Sequence, residues 1–156
     1  MCKLSWSVSG LLFVALIAVV YKFMIAGTVI PASDGREALL LEPGERDMIL
    51  SEMRIFLASV QAITDGVSND DMNKVAEAAR SVGAAAQQEV PASLIGKLPL
   101  SFKKLGFDTH RQFDMLALDA EQLGDREHSL KQLSSLMNNC VACHASYRID
   151  AVTALK

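Results

Sequence analysis

The apolar positions after residue 44 recur at intervals of three and four, which is the spacing of one helix face. Four such stretches follow one another along the chain: about Glu45 to Asp65, Asn69 to about Val90, Thr109 to Gly124, and Asp125 to about Tyr147. No stretch shows the period-two alternation and hairpin turns of paired strands. The pattern therefore predicts an all-α fold, an antiparallel four-helix bundle over residues 45–150.

The segments between and beside these stretches are interpreted as connections. Residues 33–44 are interpreted as a linker that contains a short apolar patch, and residues 151–156 as a tail. The segment Pro91–Asp108 contains two prolines and two glycines, so we predict a long connection there with a short helical turn.

The first 32 residues have a different pattern. Leu4 to Tyr21 carries no charge and is mostly apolar, and at about 1.5 Å per residue it is close to the roughly 30 Å of a bilayer core. A cleaved signal peptide is the alternative, but no clear cleavage site follows. We interpret residues 1–32 as a membrane anchor or uncleaved signal segment, in which Lys22 reaches the interface.

Either interpretation of this segment places the rest of the chain outside the cytoplasm. Lys3 lies on the side that the positive-inside rule assigns to the cytoplasm. We therefore predict a protein of the bacterial cytoplasmic membrane whose main domain lies on the periplasmic side.

Composition narrows the classes of function. The net charge is −3, and a surface of this sign repels nucleic acid, so we expect no nucleic-acid partner. There are three cysteines, and an odd number argues against a disulfide framework. Cys2 stands apart from the other two.

The candidate chemistry lies near the end of the fourth stretch, where Cys140-Val-Ala-Cys143-His144 matches the haem attachment pattern C-x-x-C-H. Two thiols at this spacing can add to the two vinyl groups of one porphyrin, and the adjacent histidine can then bind the iron. On a helix, positions i, i+3 and i+4 lie on one side. The motif predicts one covalent haem c with His144 as an axial ligand.

Two other uses of a C-x-x-C pair compete with this interpretation. A redox-active dithiol normally accompanies a βαβ pattern, which the sequence lacks. A zinc site needs a second pair of ligands, and only His110 and His128 remain, both distant in sequence. We expect His110 to lie in solvent at the start of the third helix and His128 in the first turn of the fourth.

These residues resemble those of a known family. A helical bundle with C-x-x-C-H near its end, followed by Tyr147 and Arg148, is similar to cytochrome c prime and its methionine-ligated, low-spin relatives. Arg46 and Leu50 resemble that family's arginine and the residue facing the distal side of the iron four positions later. The resemblance covers about residues 45–150. It implies one haem, His144 as proximal ligand, and a homodimer formed through the first two helices.

The resemblance gives Arg148 a role as well. It implies that the guanidinium shields the proximal imidazole or a haem propionate. A simpler interpretation is a cation at a helix end, where the helix dipole favours it.

The sixth iron ligand is left open by the sequence. Leu50 cannot coordinate, and facing the iron it would leave a five-coordinate site that admits NO or CO. Met53 lies three residues later on the same face, and Met48 lies two residues earlier on a poorer face. A methionine ligand gives six-coordinate, low-spin iron suited to electron transfer, although helical methionines usually fill cores.

The leading hypothesis is therefore extracytoplasmic one-electron transfer with a redox partner protein. The alternative is a gas-binding haem protein that senses or sequesters NO or CO, and a third is an assembly subunit whose haem is incidental. We do not expect an enzyme, since the sequence offers neither a distal His/Arg pair nor paired carboxylates near the motif.

Overall fold

The computed structural model describes residues 2–152, which are mostly helical and carry a small sheet. The first helix, α1, spans Cys2–Val20 and continues as a turn of π-helix over Tyr21–Ala26. Five further α-helices follow, namely α2 (Pro43–Ser68), α3 (Met72–Arg80), α4 (Ala92–Lys97), α5 (Leu100–Leu123) and α6 (Arg126–Ser146). Three strands are β1 (Val29–Pro31), β2 (Glu37–Leu41) and β3 (Tyr147–Ala151).

The N-terminal helix projects from the rest of the molecule. The segment Trp6–Ala26 has a mean hydropathy of 2.3, and none of its residues is buried within the protein. It is long and apolar enough to cross a membrane, a property that a signal sequence shares. The helix stops at Ala26 and β1 follows, so the apolar segment predicted as 1–32 ends in a strand.

The main core lies among four helices. Helix α3 packs on both α2 and α5, and α6 packs on α5 and less extensively on α2. Apolar side chains from all four fill the centre, and fully buried ones include Ile63, Val75, Phe113, Leu116 and Leu136. Gly66 of α2 lies against α3, where a Cβ would come within 2.8 Å of a Val75 methyl group. The absence of a side chain at residue 66 lets the two helices approach.

The three strands form one sheet in the order β1-β2-β3, so the prediction of an all-α fold is wrong in this respect. Strand β1 pairs antiparallel with β2, and β2 pairs in parallel with β3, Glu37 facing Tyr147 and Leu41 facing Ala151. The apolar patch of the predicted linker is therefore a strand. Its residues Leu39 and Leu41 are completely buried, and a short apolar run of this kind lacks alternation because both of its faces are covered. Ala151 of the predicted tail closes β3, and residues 153–156 lie outside the described residues.

The second predicted helix ends ten residues too late. Helix α3 stops at Arg80, and Ala84–Glu89 forms a 3-10 helix instead. The carboxylate of Asp114 on α5 accepts a hydrogen bond from the Ala84 amide at 2.9 Å, and a Cβ on Gly83 would overlap that carboxylate. A tertiary contact therefore turns the chain where the alanine-rich sequence alone favours continued helix.

The third predicted helix begins too late, because Thr109 lies within a helix and not at its start. Helix α5 starts at Leu100, directly after Pro99, and Thr109 is buried in its middle with its hydroxyl donating to the Leu105 carbonyl. Gly106 is tolerated within this helix because the neighbouring Phe102 and Leu105 pack into an apolar cluster. The fourth helix is confirmed, since Asp125 caps α6 by accepting from the Glu127 and His128 amides and the helix ends at Ser146.

Candidate functional site

The C-x-x-C-H segment occupies the last two turns of α6. Leu133 and Leu136 of this helix face the main core, and Cys140 and Cys143 continue the same side of the helix at intervals of three and four residues. Both thiols are half-buried and unbridged. His144 follows them at the edge of this face and is exposed, and no described residue makes a hydrogen bond to its imidazole. The motif is therefore presented with its thiols inward and its imidazole free.

A second apolar cluster surrounds the end of α6, and we call it the sheet-end cluster. Its buried members are Leu39, Leu41, Ile49, Leu94, Leu98 and Tyr147, and Met53 and Cys143 are among the partly buried residues packed against it. The Tyr147 ring meets Phe102 edge-on with centroids 5.4 Å apart, and its hydroxyl shares a hydrogen bond with Ser101. Strands, α2, α4 and α5 thus all contribute to holding the end of the motif-bearing helix.

Burial keeps both thiols protonated. It raises the pKa of Cys140, and it raises the pKa of Cys143 to about 11, with the adjacent Cys140 adding to the effect. Redox-active C-x-x-C pairs have the opposite property, since their nucleophilic cysteine has a lowered pKa and is a thiolate near neutral pH. The pair therefore lacks the lowered thiol pKa that is typical of a redox-active C-x-x-C.

Arg36 is a residue of the site that the sequence pattern did not indicate. Its Nη1 donates to the carbonyl oxygens of His144 and Tyr147, both at 3.2 Å. These carbonyls belong to the end of α6, where cationic groups are favoured by unpaired carbonyls and the helix dipole. The Asp34 carboxylate holds the same guanidinium at 2.8 Å. The only sequence signal was the Asp-Gly-Arg turn, which gives no indication of a partner 108 residues away.

Arg148 lies on β3 and not on the helix, so its predicted place one helical turn beyond His144 is wrong. Its Nε donates to Asp150 at 3.0 Å and its Nη1 approaches Asp34 at 3.5 Å. The hydrogen bond from Arg36 is the main cause that lowers the pKa of Asp34, and Arg148 adds to it. Arg46 lies in the first turn of α2 and contacts Asp47 at 3.4 Å.

The candidates for the sixth ligand differ in position. Met53 is half-buried and packs against the sheet-end cluster, as Cys143 does. Leu50 is half-buried one turn earlier and belongs to neither apolar cluster of the described residues. Met48 is 43% exposed. Of the three, Met53 is the one that the fold brings into the same cluster as a cysteine of the motif.

His110 is buried, contrary to the expectation that it lies in solvent. It is only 4% exposed, its Nδ1 is 2.8 Å from the Val82 carbonyl, and its Nε2 is 3.3 Å from a carboxylate oxygen of Glu52. Burial alone would lower its pKa, but Glu52 and the Val82 and Gly83 carbonyls outweigh burial and raise it. His110 is therefore a structural link between α5 and α2, and it bonds to Glu52, the residue that precedes Met53.

His128 lies in the first turn of α6, as expected. Its Nε2 is 3.0 Å from the carboxylate of Asp119, which also accepts from Gln132. Among the described residues, no three His, Cys, Asp or Glu side chains converge as the ligands of a metal ion would. Neither histidine outside the motif joins Cys140 and Cys143 in such a group.

Comparison with protein-family models, with curated proteins and with solved structures finds no match for this chain. The assignment of function therefore depends on the residues and their geometry.

Proposed function

We propose that this chain is a membrane-anchored c-type cytochrome of the cytochrome c prime type, and that it carries single electrons outside the cytoplasm. In this proposal α2, α3, α5 and α6 are the four helices of the family's bundle. The sheet and α4 are additions that close the end at which the haem is attached. A haem held by Cys140, Cys143 and His144 would supply an iron able to accept and release one electron.

The observation that carries the proposal is the state of the C-x-x-C-H segment. Cys140 and Cys143 are unbridged, side by side and protonated at neutral pH, and His144 is exposed with no hydrogen bond from a described residue to its ring. Thiols of this kind can form thioethers with porphyrin vinyl groups, but they are poor redox catalysts. A haem brings four nitrogen ligands of its own, so the chain needs to supply only axial ligands.

The chain around the motif fits a large apolar group. The α2–α6 contact is less extensive than the contacts of α3 with its neighbours, and apolar side chains on both helices are exposed. Leu57 on α2 is 70% exposed, and Met137 and Val141 on α6 are 41% and 66% exposed. Covering such residues is worth about 25 cal/mol for each Å² of apolar surface. We propose that this side of the motif receives the haem.

Met53 supports electron transfer as the function. It packs against the same cluster as Cys143, and a methionine ligand in addition to His144 would give low-spin iron with a raised potential. We propose His144 and Met53 as the two axial ligands. Binding of NO or CO is the alternative, and it requires that the sixth position be open and faced by Leu50.

The test is to make the full chain in a bacterial host competent for cytochrome maturation. The proposal expects an intact mass increased by one haem and a low-spin spectrum that does not change with CO. Replacing both cysteines, Cys140→Ser with Cys143→Ser, should abolish covalent attachment. A protein whose mass lacks haem in the competent host refutes the proposal.

A matched pair of methionine variants separates the two functions. Met53→Ala should convert the iron to high spin and open it to CO, while the exposed Met48→Ala should leave the spectrum unchanged. A high-spin, CO-binding spectrum in the unsubstituted protein would exclude methionine ligation and favour the gas-binding alternative.

A further inference from the structure

The membrane segment, Trp6–Ala26, is joined to the helical domain by Gly27 and Thr28, which we call the stem. The stem is packed against the domain and is not a flexible linker. The Gly27 position is in close contact with α4 and α5, since a Cβ there would lie 2.5–2.7 Å from the backbone of Lys97–Pro99. The next amide, of Thr28, donates to the Lys97 carbonyl at 2.6 Å. The described chain thus passes from the membrane helix into the domain without a flexible residue run.

The last turn of the membrane segment also touches the domain. The Phe23 ring lies beside Gly96 of α4, and Lys103 of α5 donates to the Phe23 carbonyl at 3.3 Å. Lys97 in turn is held by both carboxylate oxygens of Glu45 at 2.7 Å, which ties this contact to the start of α2. The end of the membrane helix therefore packs against the end of the domain where α5 begins.

The C-x-x-C-H segment lies at this same end. Val29 of β1 pairs with Leu39 of β2, which pairs with Ile149 of β3, and two strand spacings of about 4.8 Å put β1 and β3 roughly 10 Å apart. Strand β3 begins directly after α6. Arg36, from the turn between β1 and β2, bonds to the carbonyls at the end of that helix.

The opposite end of the domain lies far from the membrane segment. Helix α5 has 24 residues, which is about 36 Å of length. The turns at its far end carry Asp70, Asp71 and Asp125, and a Ser129–Met72 contact shows that these turns adjoin. At the near end, Tyr21 and Lys22 lie in the last turns of the membrane segment, Lys103 donates to the Phe23 carbonyl, and Lys104 and the 38% exposed Leu100 lie in the first turns of α5. Lysines and an aromatic ring are the residues that favour a phospholipid interface.

We propose that the motif-bearing end of the domain lies on the periplasmic surface of the cytoplasmic membrane. The lysines lie among the lipid headgroups, and the folded stem fixes this orientation. This inference rests on the proposed function for its purpose, since it holds the haem attachment site beside membrane-embedded redox partners. The orientation itself does not depend on haem.

The experiment places a photoreactive amino acid, p-benzoylphenylalanine, at single positions of the full chain in vesicles of phosphatidylcholine and phosphatidylglycerol. Position 100 tests the seat of the stem, position 146 tests the end of α6, and position 122 near the far end of α5 is the control. After irradiation, lipid adducts are quantified by mass spectrometry, which also reports whether haem is attached.

The expected result is at least tenfold more lipid adduct at positions 100 and 146 than at position 122. A flexible Gly/Ser insertion of twelve residues between Ala26 and Gly27, with a reach of roughly 20 Å, should reduce the difference to less than twofold. Adducts at position 146 as rare as at position 122, or an orientation that survives the insertion, would overturn the inference. If the mass spectra show the expected lipid adducts but no attached haem, the proposed function is refuted and the proposed orientation is not.

Discussion

Gly27 is the residue on which the seating of the membrane stem depends. Its φ of 65° and ψ of −158° lie in a region open almost only to glycine, and a residue with a side chain pays about 1–3 kcal/mol there. An added Cβ would also meet backbone atoms of Lys97–Pro99 at 2.5–2.7 Å, and overpacking against atoms that cannot rotate away costs a further 1–3 kcal/mol or so. Gly27→Ala should therefore destabilise the seated stem by about 4 kcal/mol.

Amide hydrogen exchange measures this effect at a single bond. The Thr28 amide donates to Lys97 in the seated stem, and 4 kcal/mol corresponds to a loss of protection of several hundredfold. Amides of the main core, such as that of Phe113, should keep their protection against exchange, because the four packed helices do not depend on the stem.

Gly35→Ala is the matched control. Gly35 also has a positive φ, of 85°, but a Cβ there would have no atom within 4 Å, so only the backbone strain of about 1–2 kcal/mol remains. The loss of protection at Thr28 should be at least tenfold smaller than in Gly27→Ala. If the two variants exchange alike, or if Thr28 stays protected in Gly27→Ala, the close approach of Gly27 to α4 and α5 is not what seats the stem.

Two further predictions concern titrating groups. Glu52→Gln should lower the pKa of His110, since burial then opposes protonation with less compensation. Because a raised pKa stabilises the fold below the usual histidine range and this contribution is lost as pH rises, urea unfolding should show a larger destabilisation at pH 5 than at pH 8. NMR of the imidazole checks the shift, and equal destabilisation at both pH values would contradict it. In protein made without haem maturation, alkylation of Cys143 should rise with pH to a midpoint of about 11, whereas matured protein should not be alkylated there at all; rapid alkylation at pH 7 would show that the thiol is not buried as described.

The helices that the sequence predicted best are those whose ends carry their own signals. Asp125 offers a side chain that caps its own helix two and three residues later, and α6 begins there. The regular apolar positions of α2 likewise reflect one face buried against α3. Local pattern was sufficient in both cases because the decisive contacts are within the helix or along one stripe.

The elements that the sequence missed depend on distant partners. The run Glu37–Leu41 is a strand because β1 and β3 lie on either side of it, and α3 ends at Arg80 because Asp114 binds the Ala84 amide. His110 was predicted to lie in solvent at a helix start, yet it is buried in contact with Glu52 and Val82. No periodicity in the chain encodes such pairs.

The candidate site shows the same division. The motif Cys140–His144 is contiguous, so its residue types and spacing could be recognised in the sequence. Arg36 was not, since the guanidinium reaches the motif only after the chain has folded back on itself. Whether Met53 is a ligand depends on a cluster contributed by several separate segments, and spacing alone left it beside Leu50 and Met48.

The parallel pairing of β2 with β3 also orders the assembly of the protein. The edge of β2 that faces β3 has no strand to bond until the chain beyond α6 has been made, and Arg36 and its carbonyl partner at His144 are likewise 108 residues apart. Closure of such a distant pair comes late, since the loop entropy must be overcome first. If haem is attached as proposed, the cysteines would be accessible for attachment while this edge of β2 is unpaired, and pairing of β3 with β2 would then hold the end of α6 in the sheet.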